Sequence, residues 1–103
     1  MRSLALLLLL SAPVNAASAS EWKSRWFDMV SKATALLETS RHLEDRLAHQ
    51  GLKLRADTIA ARVRVEMALD DAEDAYQRRN EQEMADTFPR AEAYIERLAR
   101  ALQ

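Results

Sequence analysis

The side chains best suited to chemistry in this 103-residue chain are two histidines and two carboxylates in one register: Glu38, His42, Asp45 and His49. Steps of four, three and four residues put all of them on one face of a helix. Imidazole and carboxylate groups one turn apart can share a transition metal, and histidine is the commonest ligand of that kind. These four residues are therefore the candidate metal site. The same spacing also suits a solvated face. Arg41, Glu44 and Arg46 stand close by, and local ion pairs on a helix contribute only about 0.2–0.5 kcal/mol each. A metal held by such a face alone is bound weakly, because no outer layer of hydrogen bonds orients the ligands.

A second candidate is aromatic. Trp22, Trp26 and Phe27 crowd one short stretch, with the two tryptophans one turn apart and Phe27 off their line. Core packing accounts for such a cluster, and so does docking to a partner, since aromatic side chains dominate interface hot spots. Phe27 is the member whose position is least suited to the core. Further along, Arg90 and Arg97 share a helical face with Arg100 nearby. That pattern fits either a soluble surface or contact with an anionic lipid or polymer. Ser40, His42 and Asp45 are the types used in hydrolysis, but one helix does not aim them at a common atom, and hydrolytic triads draw on separate elements. The chain reads as a non-enzyme.

Composition narrows the classes further. There is no cysteine, which excludes disulfides, thiol redox chemistry and zinc fingers. One glycine is too few for a phosphate-cradling loop. The net charge of −1 lacks the basic excess that nucleic-acid binding demands. No cofactor is expected.

The first sixteen residues read as an export signal. Met1-Arg2 gives a positive end, Leu4 to Leu10 is almost unbroken apolar sequence, and small residues follow at Val14-Asn15-Ala16 and Ala17-Ser18-Ala19. This is the layout of a cleavable signal peptide, ending at residue 16 or as late as 19. The apolar run falls short of the roughly 20 residues that span a bilayer, so no stable membrane insertion is expected after cleavage. The expected address is periplasmic or secreted.

Residues 17–103 then form one helical domain. Ala, Leu, Glu, Arg and Met predominate, all of them helix formers, and apolar residues recur at steps of three and four. The spacing predicts helices over about 21–50, 55–78 and 81–102. Ser20 is the expected N-cap of the first. Its stripe runs through Trp22, Trp26, Met29, Val30, Ala33, Leu36, Leu37, Leu43 and Leu47. Gly51 either ends this helix in a left-handed turn or lies within a longer one, and the offset of Leu52, Ile59 and Val63 from the stripe favours the break.

The second helix has two apolar sectors: Leu52, Ala56, Ile59, Ala60, Val63 and Met67 on one side, and Val65, Leu69, Ala72 and Tyr76 nearly opposite. Two different neighbours are expected to cover them. Asn80 with Glu83 has capping-box spacing. It opens a third helix with a regular seam of Met84, Phe88, Ala91, Ile95, Leu98 and Leu102. Pro89 inside it predicts either a kink near Asp86 or a fresh start near Thr87.

The fold class is all-α: a small antiparallel three-helix bundle, or an extended helical hairpin with a third closing helix, preceded by the signal peptide. Such a chain is small and lacks covalent staples, so its margin of stability is thin. The functional expectation is an exported protein that binds a protein partner or self-associates through its amphipathic helices. The alternative is a metal-binding or metal-responsive protein using Glu38, His42, Asp45 and His49.

Overall fold

The computed structural model describes residues 18–103; the export signal read over residues 1–16 lies outside these described residues. Among them the chain is all-helical, with α1 spanning Ala19–His49, α2 Ala56–Gln77 and α3 Glu81–Ala101. No strand occurs among the described residues.

Local chemistry sets the helix ends. Ser18, not Ser20, is the N-cap of α1: its hydroxyl accepts from the Glu21 N–H at 3.2 Å. Ser18 has glutamate three residues on, the capping-box spacing, whereas Ser20 is followed at that distance by Lys23. At the other end Gly51 adopts φ +72°. The Leu52 N–H donates to the Leu47 carbonyl at 2.8 Å and the Gly51 N–H to Ala48 at 3.0 Å, which is a Schellman turn. The helix therefore breaks at Gly51.

α2 stops by the same geometry without a glycine. Asn80 N–H donates to Ala75 and Arg79 N–H to Tyr76, and Arg79 carries the left-handed φ of 56°. Its guanidinium lies over the Tyr76 ring, 5.1 Å from the centroid. Asn80 at once caps the next helix, its side chain accepting from the Glu83 N–H at 3.1 Å. α3 then runs as a single helix through Pro89, so the fresh start near Thr87 does not occur. Pro89 and Ala85, whose carbonyl it cannot bond, both face solvent, where water takes the missing partner's place.

α1 and α2 are antiparallel: Trp26 stacks on Tyr76 with ring centroids 5.3 Å apart, and Glu44 pairs with Arg62 nearer the turn. α3 returns along both. The Phe88 ring meets Trp22 edge-on at 5.2 Å and Trp26 at 6.0 Å. Around this aromatic centre, Met29, Ala33, Val65, Met84, Ile95 and Leu98 complete the core. Alanines dominate the buried face of α2, at Ala68, Ala72 and Ala75, with Ala91 on α3. Small side chains let helix backbones approach closely, which suits the extensive pairing of α2 with α3.

Candidate interaction surface

α3 is too short to cover the whole hairpin. At 1.5 Å per residue, α1 is about 46 Å long and α3 about 32 Å. The contacts of α3 with α1 run from Phe88 against Trp22 to Ala99 beside Leu36. Beyond that point, the end of α1 and the start of α2 form a two-helix tip. The tip has its own small interior of Ser40, Leu54 and Thr58, all buried, with Leu43, Leu47 and Ala61 half-buried. The Ser40 hydroxyl donates back to the Leu37 carbonyl at 2.8 Å, which lets a polar residue sit fully inside. Arg62, its side chain only 16% exposed, is held by both carboxylate oxygens of Glu44 at 3.2 and 3.4 Å.

This arrangement decides the fate of the two sectors of α2. The sector with Val65 and Ala72 is buried, with Leu69 and Tyr76 half-buried at its edge. The other sector has no neighbour among the described residues. Leu52 is 54% exposed, Ile59 36%, Val63 47% and Met67 63%, with Ala56 and Ala60 exposed between them. The expectation that a second neighbour covers this side is corrected: the apolar sector lies open to solvent. Isolated apolar side chains on a surface are ordinary, whereas large contiguous apolar patches are the kind of surface that interaction sites use. The adjoining face of α1 is polar and exposed, with Arg41, His42, Asp45 and Arg46. The open apolar row is therefore formed by Leu52 in the turn and by α2, without α1.

Charge brackets the row. Lys53 and Arg55 stand at its beginning, and Glu66, Asp70 and Asp71 at its end. Lys53, Glu66, Asp70 and Asp71 form no ion pair among the described residues. Arg55 pairs only with its exposed neighbour Asp57.

The metal candidates sit on the tip. Glu38, His42, Asp45 and His49 are all exposed on α1, and no three His, Cys, Asp or Glu side chains among the described residues come together to hold an ion. His49 Nδ1 lies 2.8 Å from the Asp45 carbonyl oxygen, a bond to its own helix rather than to the carboxylate.

The aromatic candidates separate. Trp22 is buried against Phe88, and Trp26 is half-buried between Tyr76 and Phe88, so both serve the core. Phe27 is 56% exposed, with the Lys23 ammonium 6.0 Å from its ring centroid. The Trp22 indole N–H is buried without an acceptor, at a cost of about 1–3 kcal/mol. Beside it, Arg25 makes a two-point pair with Glu92, Nε to Oε2 at 3.0 Å and Nη2 to Oε1 at 2.6 Å. The Glu92 hydrogen bond, reinforced by its charge, raises the Arg25 pKa against the opposing effect of burial. This pair latches α1 to α3.

The arginines of α3 are engaged locally. Arg90 pairs with Asp86, Arg100 with Glu96, and Arg97 lies over the Tyr94 ring. An open groove of about 630 Å³ lies between α1 and α3, lined by Met29, Leu36 and Ile95 together with Asp28, Lys32 and Glu96. No helix among the described residues is long and apolar enough to cross a membrane.

Sequence reasoning located the α2 row but assigned it to the interior. A third helix ten residues shorter than the first leaves one end of the hairpin as two helices, and the row points away from the face of α2 that its neighbours cover. No family model matches the chain, and neither a curated protein nor a solved structure matches it.

Proposed function

We propose that this chain is an exported, non-enzymatic helical protein that acts by binding, docking a protein partner or a second copy through the apolar face of α2. The observation that carries this reading is the open row Leu52, Ile59, Val63 and Met67. Moving a half-exposed aliphatic side chain fully out of water is worth about 1 kcal/mol, so leaving four of them in solvent is a standing cost that an occupant removes. The export half of the reading rests on the sequence of residues 1–16 alone, with its positive start, apolar run and small residues before the cleavage point.

The test has two parts. The full chain is expressed in a bacterium, the protein is recovered by cell fraction, and its N-terminus is read by mass spectrometry. Export predicts periplasmic protein beginning at residue 17 or 20; intact Met1 in the cytoplasm would overturn that half. Binding of a hydrophobic dye to the folded protein then reports the α2 row. Val63→Glu, at a solvent-facing position, should reduce dye binding severalfold without lowering the helix content. A folded monomer that takes up no dye overturns the interaction reading.

A further inference from the structure

We infer that the occupant of the α2 row is the same row on a second copy of this chain, packed antiparallel across a two-fold axis near residues 61 and 62; the inference rests on the interaction reading above. A two-fold interface must be self-complementary, each residue meeting its counterpart in both directions. The α2 row meets this condition in size and in charge. With the axis between 61 and 62, Ala60 of each copy faces Val63 of the other, and Ala56 faces Met67. At these two steps small opposes large, as when two helix surfaces interdigitate, and Ile59 falls level with the stem of Arg64. Antiparallel packing also turns the basic start of one row, Lys53 and Arg55 in the segment just before α2, toward the acidic end of the other, Glu66 and Asp70. Asp57, already paired to Arg55, lies level with Glu66. Lys53, Glu66 and Asp70 have no ion pair among the described residues.

A parallel arrangement would set Lys53 against Lys53 and Asp70 against Asp70, and like charges at close quarters disfavour it. A partner of uniform charge would satisfy one end of the row and repel the other. The polar face of α1 at the tip stays in water in this arrangement, as its composition requires. Each copy's bundle end points away from the other's, so the core built around Phe88 is untouched by association.

The experiment is sedimentation equilibrium of the purified protein across concentrations, at low and high salt. The inference expects a concentration-dependent dimer, weakened by salt and abolished by Val63→Glu. The double variant Lys53→Glu with Arg55→Glu should associate with itself about tenfold more weakly, given the modest worth of each exposed ion pair and the four that are lost. The double variant Glu66→Lys with Asp70→Lys should do the same. Mixing the two variants should restore the dimer as a one-to-one heterodimer.

A dimer that Val63→Glu leaves intact, or a mixture that fails to restore association, overturns the α2 register. A monomer at every concentration overturns the second copy as occupant. In that case dye binding that Val63→Glu removes leaves the broader interaction reading standing, and a monomer that binds no dye removes both.

Discussion

The two ends of the α1–α2 hairpin are built from the same two helices and reach opposite solutions. At the end carrying Trp22, Trp26 and Tyr76, α3 supplies Phe88, Ile95 and Leu98, and every strongly apolar residue except Phe27 has a neighbour. At the end carrying the Gly51 turn, two helices bury one small polar-edged seam, and the outer apolar row of α2 stays in water. Two packed helices cannot cover an apolar side that points away from both of them. A bundle end is therefore where this chain buries its large apolar side chains, and a two-helix end is where apolar surface is left in water.

The contrast is broken most forcefully by Phe88→Ala. Removing a fully buried ring that touches both tryptophans should cost about 3–5 kcal/mol, read as a lower urea midpoint with an altered tryptophan emission. A loss below about 1 kcal/mol would show that the bundle end is not the seat of stability. Leu54→Ala makes the matching cut in the tip, at a residue 6% exposed. It should cost about 2 kcal/mol, the low end for buried leucine because the tip is thin enough to relax. Amide exchange should then quicken around residues 40–60 while the bundle end keeps its protection; uniform quickening would mean that the two ends unfold as one unit.

Smaller effects sharpen the picture at the turns. Gly51→Ala places a Cβ in open space, so its only penalty is the left-handed φ, about 1 kcal/mol. Asn80→Ala removes the cap bond to Glu83 and should also cost about 1 kcal/mol, measured by thermal melting. Val63→Glu should leave the stability of the monomer within about 0.5 kcal/mol of the parent, in contrast to its expected effect on association. A large loss there would mean that Val63 is buried in solution.

Much of the fold was legible in the sequence. Apolar spacing placed the three helices, and Asn80, Glu83 and Gly51 marked two of their boundaries, because capping and left-handed turns depend on a few residues acting locally. Ser18 was legible as well, through Glu21, though the reading chose Ser20. The aromatic pair Trp22 and Trp26 was recognised as a cluster, yet nothing in its spacing distinguished a core from a docking site. The metal stripe was likewise clear as a pattern. Its four side chains stand in water without converging, since one straight helix face has no opposing element to draw them together.

Sequence by itself therefore determined that residues 18–103 are helical, roughly where the three helices lie, and which residues are apolar on each face. Only the tertiary structure decided which apolar face of α2 is buried. The interior took the sector lined by Ala68, Ala72 and Ala75, and left Ile59, Val63 and Met67 outside. Larger side chains favour burial one at a time, but close contact between whole helices favours the face whose small residues let the backbones approach. That balance is struck between elements distant in sequence, so no window along the chain contains it.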